Sequence, residues 1–254
     1  MASCDFETLF TKMRPHILEK ICLSLDYDSF KKCLEVNTAW KIVLTAKTFQ
    51  KKVKALYLEG ILEDEVKLLR DSKEGNTGEV QKLLSIGMVY VDCLDENGNT
   101  PLHEAAWEGH KNVIQLLLKR GADPNKEGQY GETPLHKVAF RGNKYVLQLL
   151  LDSGADPNKA DKSRDIPLHL AATEGHKDVV QLLLDRGSNP NAANIFGNTP
   201  LHRAAGWFHI DVTQLLLNSG ADPKRVNRWR KTPLSVVPRE KKAVAKLLRL
   251  AMKP

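Results

Sequence analysis

Apolar positions along most of the chain recur with helical spacing, in short blocks cut by glycine. Leu102, Ala105 and Ala106 lie three and four residues apart, which predicts one short amphipathic helix. Gly109-His110 interrupts it, and Val113, Leu116 and Leu117 draw the apolar stripe of a second helix. Gly121 stands where that second helix should end. Pro101 suits a first helical turn, where its missing N–H costs nothing, and Thr100 before it can cap the helix. Asp123-Pro124-Asn125 then starts a turn.

This block repeats. Thr100-Pro101-Leu102-His103 recurs as Thr133-Pro134-Leu135-His136, Ile166-Pro167-Leu168-His169, Thr199-Pro200-Leu201-His202 and Thr232-Pro233-Leu234-Ser235, at a constant step of 33 residues. Gly121, Gly154, Gly187 and Gly220 keep the same step, and so do Val113, Val146, Val179 and Val212. Three series in register define full repeats at 95–127, 128–160, 161–193 and 194–226. Residues 59–94 keep Val80, Leu83, Leu84 and Gly87 without the Thr-Pro start, and read as a degenerate first repeat. Residues 227–254 keep the start but carry Pro238 inside the expected first helix, and read as a terminal cap. Local departures are Arg164 and Arg230 for a hairpin glycine, Ile166 for a capping threonine and Phe208 for an inter-helix glycine.

A 33-residue period opening on Thr-Pro-Leu-His resembles the ankyrin family from about residue 62 onward. The resemblance implies an all-α solenoid of helix–turn–helix units joined by β-hairpin loops. Each unit buries its apolar face only against its neighbours. It also implies that His103, His136, His169 and His202 bond hairpin backbone across repeats, and that His110, His176 and His209 serve the turn between helices.

Residues 1–58 do not follow this period. They predict three short amphipathic helices: one lined by Ile17, Leu18, Ile21, Cys22 and Leu25, one by Phe30, Cys33 and Leu34, one by Trp40, Val43 and Leu44. Pro15, Ile17, Ile21, Leu25-Asp26, Phe30, Val36 and Trp40 together resemble the F-box, with Arg14 where that family has leucine. The resemblance implies a Skp-type adaptor of a cullin–RING ubiquitin ligase as partner, contacted by Pro15, Ile17, Leu18, Ile21 and Leu25. The other reading of this segment is a helical cap on the solenoid end.

Composition narrows the function classes. The 254 residues are 42% hydrophobic and 27% charged, an ordinary globular mix. No apolar run approaches a membrane span, and Met1 to Phe10 lacks the pattern of a secretory signal. Four cysteines without a C-x-x-C pair suggest a reducing, cytoplasmic or nuclear setting. The net charge of +7 is uneven: residues 224–254 hold eleven Lys and Arg against Glu240 alone, while 59–223 are net acidic.

Catalysis finds no residues to stand on. No P-loop, G-x-S-x-G or G-x-G-x-x-G occurs, and His103-Glu104 lacks the second histidine of H-E-x-x-H, since Trp107 holds that place. The repeat histidines should lie a whole repeat apart, about 10 Å between neighbouring helices. That is too far to share a zinc with ligands at roughly 2 Å. A non-enzyme without metal or cofactor is expected.

The family places its variable solvent positions on first helices and hairpin tips. Here those positions carry Trp107, Tyr130, Phe140, Phe196, Trp207 and Trp229, with Glu104, Glu108 and Arg141 beside them. Such residues are enriched at binding hot spots, so this face is the candidate site for a protein target. Glu96, Glu132 and Asp165 add acidity to its first repeats. Phe208 is expected to face the core. Arg228-Trp229-Arg230 could suit single-stranded nucleic acid but reads as a solvated cap, and nucleic acid is not expected as a partner. By itself the chain is expected to be monomeric.

Overall fold

The computed structural model describes residues 63–85 and 89–253. The three helices expected over 1–58, and with them Pro15, Ile17, Leu18, Ile21 and Leu25, lie outside the described residues. Two compact units are distinguished, one of residues 1–68 and 78–90, the other of 69–77 and 91–254. In the first unit Lys67 and Lys82 both pair with Glu79, and Leu68, Val80 and Leu83 are buried.

Helix α1 covers the described residues 63–74, and α2 is Thr77–Ser85. Four helix pairs follow: α3 Pro101–Glu108 with α4 Lys111–Lys119, α5 Pro134–Arg141 with α6 Lys144–Asp152, α7 Pro167–Glu174 with α8 Lys177–Asp185, and α9 Pro200–Gly206 with α10 Ile210–Asn218. A 3-10 turn at Pro233–Val236 and helix α11, Lys242–Ala251, close the chain. The turn replaces a full first helix because Pro238 cannot continue one and Val237 before it is forced into extended backbone, ψ 124°.

Each first helix starts on an extended residue followed by proline: Thr100 at φ −86°, ψ 166°, then Pro101. The third helical residue completes the start. His103 Nδ1 accepts the Thr100 backbone N–H at 3.1 Å, so the imidazole takes the place that Glu or Gln holds in a capping box. Ile166 has no oxygen to cap with, yet its N–H still reaches His169 Nδ1 at 3.2 Å. That shared bond explains why the repeat tolerates losing its threonine.

First helices form the spine of the stack. α3 packs on α5, α5 on α7, α7 on α9, and α9 on the 3-10 turn. Leu102, Leu135, Leu168 and Leu201 are wholly buried, each contributing about 2 kcal/mol over an exposed leucine. Ala105, Ala139, Ala172 and Ala205, small and fully buried, let successive helices approach.

The hairpins are turns rather than strands, and no strand occurs among the described residues. Each tip closes on itself, as in Asp161 N–H to Asp165 O at 3.0 Å and Arg164 N–H to Asp161 O at 2.9 Å. Neighbouring tips share one backbone bond per step: Lys162 to Tyr130, Ile195 to Ser163, Arg228 to Phe196. One bond per step is too few to make a ladder, which corrects the expected β-hairpins.

Arg164 sits at φ +58°, in the left-handed region where three other tips place Gly98, Gly131 and Gly197 and the last places Arg230, also at +58°. Arg164→Gly is expected to raise stability by about 1 kcal/mol, because a side chain there clashes with its own carbonyl. Urea denaturation would check it, and an unchanged or lowered midpoint would contradict the strain.

Candidate functional site

Eight histidines first suggest chemistry, and the geometry assigns seven of them to structure. His103, His136, His169 and His202 are buried. Each Nδ1 accepts an N–H at the start of its own helix, which leaves Nε2 to carry the proton. Each Nε2–H then donates to a carbonyl of the next tip: Glu132, Asp165, Asn198 and Lys231, all at 3.0 Å. Burial pushes His103 down to about 4, partly offset by the Glu132 carbonyl. Burial also pushes His136, His169 and His202 below the ordinary imidazole value. Neutral imidazoles with both nitrogens engaged have no lone pair left for a ligand. Among the described residues no group of three His, Cys, Asp or Glu is placed to hold a metal.

His110, His176 and His209 form a second ladder. Their Nε2 atoms donate to the carbonyls of Lys73, Phe140 and Thr173 at 2.9, 2.8 and 2.8 Å. A third ladder is of asparagine, although Asn125 taken alone reads only as a turn former. Asn125 Nδ2 donates to Gly154 O and its Oδ1 accepts from Asp156 N–H, and Asn158 and Asn191 repeat the pattern. The signal was present as the 33-residue step of Asn125, Asn158 and Asn191.

The face of first helices and tips carries the six aromatics, all exposed but Trp107, which is half-buried. Trp107 and Phe140 stack across adjacent repeats, with ring centres 5.7 Å apart and 17° between planes. Arg141 lies over the Trp107 ring at 5.0 Å and donates Nε–H to the Trp107 carbonyl at 3.3 Å. Phe196 and Trp229 stack likewise at 5.8 Å and 18°. Trp207 and Tyr130 make no ring stack among the described residues, and are 60% and 65% exposed. The expected row is therefore two stacked pairs, separated by the repeat whose equivalent positions are Ser163 and Thr173.

The acidic positions divide. Glu104 is half-buried, accepts from Asn99 Nδ2 at 3.0 Å and lies 3.7 Å from Lys73 Nζ. Glu132 is paired with Lys137. Glu108 and Glu96 are exposed. Asp165 does not add acidity to the surface: it is buried, accepts from Asn194 Nδ2 at 2.9 Å and pairs with Arg203 at 3.3 Å. Its carboxylate is consumed in joining two successive repeats. Phe208 is half-buried rather than in the core, with Lys241 Nζ 4.8 Å from its ring centre.

At the second aromatic pair a groove of about 270 Å³ opens between Trp207 and Trp229. Gly206, Val236, Arg203 and Lys231 line it as well, and Asn198, His202 and Asn227 add polar wall.

The family model for ankyrin repeats (3 copies) matches residues 68–161, 135–227 and 168–249. The chain belongs to the ankyrin-repeat family, whose repeats are a protein–protein interaction module. It is 49% identical over 59 residues to oxysterol-binding protein-related protein 1 of Rattus norvegicus, covering 23% of this chain and 6% of that protein. It is 38% identical over 66 residues to the 2-5A-dependent ribonuclease of Mus musculus, covering 26% and 9%. It is 41% identical over 56 residues to ankyrin repeat domain-containing protein 49 of Bos taurus, covering 22% and 24%. The matches thus span about a quarter or less of each relative. No helix among the described residues is long and apolar enough to cross a membrane.

Proposed function

We propose that this chain is a non-enzymatic adaptor that holds a target protein on its face of first helices and tips. The observation that carries this reading is the two aromatic stacks on that face, Trp107–Phe140 and Phe196–Trp229, in which Trp107 is half-buried and the other three rings are exposed. Pairing already orients the rings, so little side-chain entropy is lost when a partner docks. Histidines, the groups best suited to acid–base work at neutral pH, are spent on holding repeats together.

The finer reading makes the chain the substrate-recognition subunit of an SCF-type cullin–RING ubiquitin ligase in the cytoplasm or nucleus. It rests on the F-box-like order of Pro15, Ile17, Ile21, Leu25, Val36 and Trp40. In that arrangement Pro15, Ile17, Leu18, Ile21 and Leu25 hold the Skp-type adaptor through apolar anchors. Ubiquitin transfer belongs to the partners.

The purified 254-residue chain should bind a Skp-type adaptor, and Ile21→Asp with Leu25→Asp should abolish binding while leaving the ankyrin unfolding transition in place. Absence of binding by the folded wild-type chain would reduce residues 1–58 to a structural cap. It would leave the protein-binding face as the function.

A further inference from the structure

The two aromatic pairs differ in what covers them. Trp107 lies under Arg141 and near Lys137, so its ring face already has cations. Trp207 and Trp229 lie open, 60% and 59% exposed, on either side of a groove. The groove exists because of one residue. Where preceding repeats place Trp107, Phe140 and Thr173, this repeat has Gly206. A Cβ built on Gly206 would meet only Val236 Cγ2, at 4.0 Å. The missing side chain leaves a notch between two tryptophans.

Size and charge define the occupant. About 270 Å³ lies below the range of small-molecule pockets, and suits a single large side chain instead. Arg203 and Lys231 bring positive charge to the groove wall. Arg228 and Arg230 flank Trp229 in the chain; they and Lys231 are exposed, and the ion pairs of the described residues leave all three without a carboxylate. Arg203 in the wall gives Nη2 to Asp165, while its Nε has no acceptor among the described residues. Glu240 is the only acid across 224–254. Such a surface selects a partner of opposite sign and rejects a basic one.

We propose that the Gly206 notch is the specificity pocket of the target-binding face. It takes an extended acidic segment of a partner protein, seats one large apolar side chain between Trp207 and Trp229, and places flanking carboxylates on Arg228, Arg230 and Lys231. The inference rests on the protein-binding reading above and adds the chemistry of the target.

The test pans a library of random linear peptides against the full chain. Enriched peptides should share aspartates or glutamates flanking one bulky apolar residue. Gly206→Phe fills the notch and should weaken such peptides about tenfold or more. Its unfolding midpoint should hold, because the substitution removes a glycine from a helix and the new Cβ meets only Val236 Cγ2, at ordinary contact distance. Arg228→Glu with Arg230→Glu, on exposed positions, should produce a similar loss, whereas Arg228→Lys with Arg230→Lys should retain most binding. Enrichment of basic peptides, or binding indifferent to both variants, overturns the proposal. So does binding of oligo-dT, or self-association of the chain, that these same variants abolish. Peptides lost with Trp107→Ala but kept by Gly206→Phe would overturn this pocket and leave the protein-binding face standing. No enriched peptide at either site would overturn both.

Discussion

Lowering the pH from 7 to 5 should destabilise the ankyrin stack by at least about 2 kcal/mol, through the four buried repeat histidines. An ordinary imidazole titrates at 6.5, whereas burial holds His103 down at about 4. Below about 6.5 the unfolded chain therefore takes up protons that the folded chain refuses. Stability rises with pH wherever the unfolded state binds more protons, so it is fully present above 6.5 and is lost as pH falls toward 4. Each such imidazole contributes a slope of up to about 1.4 kcal/mol per pH unit. His136, His169 and His202 are displaced in the same direction, again mainly by burial. Asp92 and Asp161, pushed up by burial, act oppositely as pH nears the carboxylate range, which is why pH 5 is the informative limit. Urea denaturation at both values is the measurement. His136→Asn should lower stability at pH 7 yet flatten the slope, since one titrating site is gone. A flat stability between pH 7 and 5 would contradict the neutral ladder.

The second large effect concerns the turn between helices. Gly175→Ala should cost about 2 to 3 kcal/mol, whereas Gly121→Ala should cost only about 1. Both glycines lie in the left-handed region, at φ +78° and +86°. At Gly121 a Cβ would meet nothing within 4 Å, leaving the backbone penalty alone. At Gly175 it would fall 2.4 Å from His209 Nδ1, so the ring must move and its bond to the Thr173 carbonyl is lost. Equal midpoints for the two variants in chemical denaturation would show that the imidazole gives way without loss. The same contact explains Phe208, which keeps φ +66° without glycine. Gly142 and Gly175 precede a histidine of the next repeat by 34 residues, while Phe208 precedes Lys242, so no ring stands in the way.

These ladders bear on the target face. Three rows of side chains tie neighbouring repeats through backbone carbonyls, two of histidine and one of asparagine. First helices and tips are thereby held on a scaffold whose repeat histidines and ladder asparagines have both of their polar atoms engaged. Exposed positions on that scaffold are free to vary. Trp107, Phe140, Phe196, Trp207 and Trp229 can face a partner without loss of core, and a glycine at 206 can open a notch without a cavity inside the fold.

Much of the architecture was legible in the chain. The 33-residue step of Thr-Pro-Leu-His, the apolar stripes and the punctuating glycines determine helix pairs, their ends and their stacking, because each is a local consequence of backbone geometry and burial. The inter-repeat role of His103 was implied by the resemblance to the ankyrin family, and its Nε2–H does donate to the Glu132 carbonyl of the next tip. What the tertiary structure alone decided is contact between residues far apart in sequence. Asp165 reads as surface acid until Arg203 and Asn194, more than one repeat step and 29 residues on, close over it. Six aromatics read as one row until stacking sorts two pairs from it. The space left at Gly206 is defined only once Trp207, Trp229 and Val236 stand around it. Periodicity names which positions face outward; only the packed neighbours determine which of them are already spent on each other.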